Sequence, residues 1–466
     1  MKTFIYFIIA VFLIGSAYFF LPKKNVIRII PLISLPDVSM VNKEDNSQPL
    51  SVIPELEKAD KKVILVSIDT LRAQSLGAYG YDRNTSENID SFAKDKDATV
   101  FANAYTPIPE TVPAHVAMFT GLYPNKSGYR TNANKKKETL PTIIKIFADN
   151  GYSTAGFYSS TIFSLNDNLD FGFQTFDPPI TYNWSDRAEI SAAETNDKVF
   201  KWLDSHFQDD FFLWVHYYEP HNPYTPFCTK DLYSKGLEPS NREYLDGAIK
   251  ISDRRLWENI TNNDDSYLLA KYDEEIYCYD KEFNRFIDKL KSLNIYKDAT
   301  IIVVGDHGEN FDHKSLFHGT NLYRSAVKVP FIIKSPLIKI NDNQDNVSLV
   351  DIFPTLLSYF RLKNNVNLEN LDGISLERLQ RNKNRVLNME TPLPISLTDS
   401  LTTDKLTYAV LYKNFKFIRT TQGLELYKID TDIKEENNLI NKNTKQSEQV
   451  IKLNSLLKKY ASSFNN

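Results

Sequence analysis

Three short runs of unbroken apolar residues, each closing on a side chain that can bind metal, constrain this chain more than any other feature. Lys62-Val-Ile-Leu-Val-Ser-Ile-Asp69 and Ala299-Thr-Ile-Ile-Val-Val-Gly-Asp306 end in aspartate, and Asp210-Phe-Phe-Leu-Trp-Val-His216 ends in histidine. A strand with one wet face alternates polar and apolar residues, so continuous runs describe strands buried on both faces of a parallel sheet. Ligands of open α/β sheets bind beyond the carboxyl ends of the strands, and these runs deliver Asp and His to that edge. Helical patterns lie between them, at Thr142 to Asn150 and at Tyr272 to Leu293, where Phe283, Phe286, Ile287 and Leu290 recur at helical spacing. The expectation is an α/β/α sandwich with a mostly parallel central sheet.

A different kind of segment precedes the first run. Phe4 to Leu21 is uncharged over about 18 residues, about 27 Å as a helix, with Lys2 before it and Lys23 and Lys24 after it. It predicts one membrane pass within residues 1–24, as an anchor or, alternatively, a cleaved signal. Lys23, Lys24 and Arg28 outnumber Lys2, which by charge counting argues for a cytoplasmic domain. The default for one N-terminal anchor ahead of a large domain is export, so a periplasmic or extracellular domain is the expectation. Residues 25–61, polar from Asp37 on, read as a linker, 62–384 as the catalytic domain, and 385–466 as a smaller C-terminal subdomain.

The net charge of -4 is spread thinly, and Lys135-Lys136-Lys137 is the one basic run, a solvated loop. No nucleic-acid partner is expected. Cys228 and Cys278 match no zinc spacing, and their pairing stays open. Histidine is more informative. Seven occur, and six fall in four segments that also carry Asp, Glu or Thr: Thr111 to His115, His216 to His221, Asp306 to His313, and His318 to Thr320. Imidazole is the commonest metal ligand, so this clustering points to a metal site acting on an ester.

The sharpest candidate is Thr111. From Pro113 the chain reads as a short helix with proline in its first turn and Gly121 at its end. Thr111 then sits at a helix N-terminus, where free amides and the dipole favour an alkoxide and an incoming anion. Simple helix capping is the competing role.

With these segments in order, the chain resembles the sulfatase family of the alkaline phosphatase superfamily. The resemblance runs through Ser67-Ile-Asp69-Thr-Leu-Arg72, Thr111 to Gly121, Glu219-Pro-His221, Asp306-His307-Gly308-Glu309, His318-Gly319 and Val350-Asp351, to Glu425-Leu-Tyr427 and Asn437-Asn-Leu439. It implies a sulfatase-like catalytic domain followed by a small antiparallel sheet with a final helix. Sulfate-cleaving members carry Cys or Ser at the position of Thr111 and convert it to an aldehyde hydrate, which threonine cannot form. The family's arginine four residues on is His115 here. Its usual Asn beside the metal aspartate is His307, and a lysine near the sulfate is His318. In these respects the chain is similar to nucleotide pyrophosphatase/phosphodiesterases and phosphonate monoester hydrolases.

The resemblance therefore implies a metal-dependent phosphoester hydrolase working through a phosphothreonine. Asp69, Thr111, Asp306 and His307 would hold zinc or manganese in preference to calcium or magnesium. Thr111, His221 and His318 would be catalytic, and His115, Asn132 and Thr161 would contact substrate. In a two-metal alternative, Glu219, His221 and His318 hold a second ion. His216 and His313 read as packed histidines and His206 as a surface residue. The substrate would be a small-molecule, lipid or glycan ester. The alternatives are a sulfuric ester hydrolase, a phosphoethanolamine or phosphoglycerol transferase, and a catalytically silent binding protein.

Overall fold

Seven strands make the central sheet. In chain order they are β1 Lys62–Ile68, β2 Ala98–Val100, β3 Ser153–Tyr158, β4 Thr175–Asp177, β5 Phe211–Tyr217, β6 Thr300–Gly305 and β7 Phe331–Lys334. They lie side by side as β2-β7-β6-β1-β5-β3-β4. β1 is parallel to both β5 and β6, and β7 alone runs antiparallel to its neighbours. The three apolar runs thus form the centre of the sheet, and every residue of β1, β5 and β6 is buried.

The structure, a computed structural model, describes residues 62–462 apart from 134–139, 166–169, 178–189, 244, 246–261, 313–314, 339, 341–343, 382–384, 393–405 and 442–446. The expected anchor and linker, the Lys135-Lys136-Lys137 run and His313 lie outside the described residues. Among the described residues no helix is long and apolar enough to cross a membrane.

Alternation along β1 explains the layers. Val63 and Leu65 pack with α1 (Thr111–Thr120), α2 (Ile143–Asp149) and a later helix, Ile352–Tyr359. Ile64, Val66 and Ile68 pack on the other face with α3 (Ala192–His206) and α4 (Asn262–Ser292). Fully burying Phe283 and Phe286 of α4 contributes about 1.5–3 kcal/mol each. The helix starts are set locally. Ser191 and Glu194 form a reciprocal capping box at α3, and the Thr142 hydroxyl accepts from Lys145 N–H at α2.

A second sheet follows, built from β8 (Val386–Pro392), β9 (Leu406–Tyr412), β10 (Phe415–Arg419) and β11 (Leu424–Lys428), each antiparallel to the next. Its strands alternate cleanly. Tyr408, Val410, Phe417 and Leu426 face Leu453 and Leu457 of the last helix, Ser447–Ser462. Leu387, Met389, Ala409 and Ile418 face Tyr105, Leu322 and Val327 of the larger layer system. Two bonds reach the site loops: Glu390 N–H donates to Pro107 O (2.9 Å), and the Thr391 hydroxyl donates to Gly319 O (3.0 Å). Cys228 and Cys278, left open by the sequence, are joined as a disulfide that ties the loop after β5 to α4.

Candidate active site

Register brings the two aspartates together. Ile68 of β1 pairs with Gly305 of β6, so Asp69 and Asp306 leave adjacent strands at one height. The ladder extends one step beyond, through Asp69 N–H to Tyr217 O (2.9 Å) and Asp306 N–H to Ile68 O (3.2 Å). Thr70 then turns in the left-handed region at φ 55°. That turn is held by Thr70 N–H donating to Asp306 Oδ1 (3.1 Å) and by the Tyr272 hydroxyl of α4 donating to Thr70 O (2.8 Å). Gly308 must lack a side chain, because a Cβ there would lie 1.9 Å from Ser325 O.

Asp306 Oδ1 accepts a second amide, His307 N–H, at 2.7 Å. Its Oδ2 and the Oδ1 of Asp69 are buried with no hydrogen-bond partner. His307 Nδ1–H donates to Gly308 O (3.1 Å), which leaves the lone pair on Nε2. That nitrogen is 3.6 Å from Asp69 Oδ1, 3.7 Å from Asp306 Oδ2 and 3.3 Å from Thr111 Oγ1. Donors on a tetrahedral ion with bonds near 2.1 Å stand ~3.4 Å apart. Two orphaned carboxylate oxygens, one imidazole lone pair and a hydroxyl at this spacing fit a divalent cation.

The electrostatics agree. Burial pushes Asp69 up to about 8, with Glu309 and Glu110 adding to the rise and His318 and the Thr111 hydrogen bond opposing it. Burial and the neighbouring Asp69 raise Asp306 well above the carboxylate range. Burial, then His318, holds His307 well below its usual value. Fixed positive charge is what this group of side chains lacks.

Helix α1 starts at Thr111, two residues before the start expected at Pro113. Glu110 occupies the cap position in an extended conformation and makes no side-chain cap bond. Thr111 is therefore the first helical residue and its hydroxyl is not spent on capping. Gly121 ends the helix as expected, at φ 68°.

His221 and His318 join this cluster. The His318 ring lies 4.4 Å from His307 and 5.1 Å from His221. His318 Nδ1 pairs with Glu309 Oε1 (3.2 Å), and the Tyr224 hydroxyl donates to Glu309 Oε2 (3.2 Å). Burial opposes a charged His318, but Glu309, Asp69 and Glu110 together outweigh it and raise the imidazole overall.

Four other expected residues have surroundings of their own. The Glu219 carboxylate turns to the start of α3 and accepts Ala192 N–H (2.9 Å), so it is not brought together with His221 and His318. His115 is wholly buried, with Nδ1 on Thr111 O (2.7 Å) and Nε2 on Ser67 Oγ (2.8 Å), which leaves neither nitrogen for a substrate oxygen. Asn132 spends its side-chain oxygen on Val112 N–H (2.8 Å) at the α1 N-terminus. Thr161 opens a 3-10 turn whose Phe163 packs on His115 and His216.

The sequence missed Glu110, Glu309 and His216. Glu309 follows Asp306-His307-Gly308 directly, and Glu110 precedes Thr111, so nearness to a motif was the available signal. His216 closes an apolar run at the sheet's ligand edge but read as a packed histidine.

A sulfatase family model matches residues 61–362, a span containing Asp69, Thr111, His216, His221, Asp306, His307 and His318. The chain belongs to the sulfatase family. This sulfatase-family chain is 26% identical over 341 residues to the uncharacterized sulfatase YidJ of Escherichia coli (strain K12), covering 63% of this chain and 67% of that protein. It is 23% identical over 372 residues to arylsulfatase K of Homo sapiens, covering 70% and 69%. Its fold is similar to that of the phosphonate monoester hydrolase from Silicibacter pomeroyi, with a TM-score of 0.69 and 17% identity over 86% of this chain and 95% of that one. The sheet β8–β11 and the last helix lie beyond the matched span. Sulfatase-family hydrolases are generally metal-dependent, which accords with the donor set found here.

Proposed function

We propose that this sulfatase-family hydrolase cleaves phosphoesters, mono- or diesters, through a covalent phosphothreonine at Thr111. The observation that carries this is the nucleophile position. It holds a threonine with its hydroxyl 3.3 Å from His307 Nε2, beside two carboxylate oxygens without partners. Asp69, Asp306, His307 and Thr111 would hold zinc or manganese. When bound, such an ion supplies positive charge that favours the Thr111 alkoxide and the transferred group's oxygens.

The chain's own groups divide the remaining work. Thr111 loses its proton to solvent and its Oγ1 bonds to phosphorus as the bond to the leaving oxygen breaks. His318, held by Glu309, hands a proton to that oxygen, with His221 alongside. Water then attacks phosphorus and restores the Thr111 hydroxyl. The positive end of the α1 dipole favours the anion.

A location outside the cytoplasm goes with this reading. The Cys228–Cys278 disulfide supports it, since such bonds persist in oxidising compartments, and the apolar run Phe4 to Leu21 supports a membrane anchor. Sulfuric ester hydrolysis is the second reading, favoured by relatives named as sulfatases. A panel of aryl phosphates and aryl sulfates assayed with manganese or zinc separates the two. Sulfate turnover is expected at least about a hundredfold below the best phosphate ester, roughly 2.7 kcal/mol in transition-state binding. Comparable rates would return the sulfatase reading.

A further inference from the structure

A buried hydrogen-bond chain behind the two aspartates fixes the protons on His216. His115 Nδ1 sits 2.7 Å from Thr111 O, and a carbonyl only accepts, so Nδ1 carries hydrogen. The ring is wholly buried, where an unpaired charge is costly, so its Nε2 keeps a lone pair that receives the Ser67 hydroxyl proton at 2.8 Å. Ser67 has one proton to give. Its oxygen must then accept both from Trp214 Nε1–H (2.9 Å) and from His216 Nδ1–H (3.1 Å). His216 is left with its lone pair on Nε2. Phe163 and Trp214 pack against the His216 ring and hold its plane.

That Nε2 is buried without a hydrogen-bond partner. It lies 3.6 Å from Asp69 Oδ2, and a nitrogen of the His216 ring lies within 4.8 Å of an Asp306 carboxylate oxygen. A lone pair facing carboxylates with no proton between them is repulsive, and a cation turns the repulsion into attraction. His115 is also within ligand reach of Asp306, but both of its nitrogens are committed.

We infer that His216 is a second imidazole ligand of the cation held by Asp69 and Asp306, which makes the site favour a nitrogen-binding transition ion over calcium or magnesium. This rests on the cation site proposed above and adds a donor to it. Oxygen-only ligation suits the hard cations, whereas two imidazoles suit zinc or manganese. Pulsed EPR of the full-length protein loaded with manganese should count two coordinated imidazole nitrogens. His216→Gln should show one, with the zinc Kd raised at least about tenfold, the least that losing even an outer partner costs. A single nitrogen in the wild type overturns the inference without any variant, and so does an unchanged Kd in folded His216→Gln. Wild-type protein that takes up no metal at all overturns the underlying cation site, and His216 with it.

Discussion

Thr111 concentrates the chemistry in one hydroxyl, and its position makes two roles separable by substitution. A capping threonine holds its helix together, and losing it costs about 1 kcal/mol. Thr111 is instead the first helical residue, with Glu110 at the cap position, and its Oγ1 faces His307. Thr111→Ala is therefore expected to abolish phosphoester turnover while the melting temperature stays within about 3 °C of wild type. Thr111→Ser should keep substantial activity through its own hydroxyl, and acid quench should trap a phosphorylated Thr111 for mass spectrometry. Full activity in Thr111→Ala would remove the covalent step. At the same scale, Glu309 shows how a neighbour sets a role: its carboxylate takes His318 on one oxygen and Tyr224 on the other, so the imidazole can turn only one nitrogen to the site.

Among the elements, α4 is the one whose attachment is covalent as well as apolar. Cys278 in its middle is bonded to Cys228, 50 residues earlier. Closing a loop of that length in the unfolded chain is worth about 4 kcal/mol by the chain-entropy argument. Cys278→Ser should lower the denaturation midpoint accordingly, and the wild type should show the same drop under reductant. An unchanged midpoint would mean that the packing of Tyr279, Phe283 and Phe286 holds the loop's anchor alone. The elements also show what the sequence made legible. The apolar runs located β1, β5 and β6 to within one residue, because burial on both faces leaves no competing period. α4 begins ten residues ahead of the expected Tyr272. Its first turns are polar, and they are held by long-range bonds such as Ser240 N–H to Asp264 Oδ1 (2.7 Å), which no local pattern records. Asp69, Asp306, His307 and Thr111 were legible because each ends or begins an element. The orientations of His216 and Glu219 were not legible for one reason: which way a side chain turns beyond or at a strand's end depends on tertiary neighbours, Ser67 for one and Ala192 for the other.

For the whole molecule, the buried charges set a pH dependence whose sign can be worked out. His115, His216 and His307 are held neutral by burial, His216 down to about 3, so below the free histidine value near 6.5 their protonation favours unfolding. Between about pH 4 and 6.5 this gain with rising pH opposes the loss from raised carboxyls. Above 6.5 the histidines have no further effect. Asp69, raised to about 8, and Asp306 then stay protonated in the fold while they are ionised in the unfolded chain, so stability falls as pH rises. Glu219, raised to about 7, and His318, raised through Glu309, act in the same direction, and Lys328, lowered to about 7 by burial, acts against them. A cation on Asp69 and Asp306 ionises both in the fold and removes their part of the slope. Melting temperatures of chelator-treated protein should therefore fall more steeply from pH 6.5 to 8 than those of zinc- or manganese-loaded protein. Equal slopes with and without metal would mean that neither aspartate binds it.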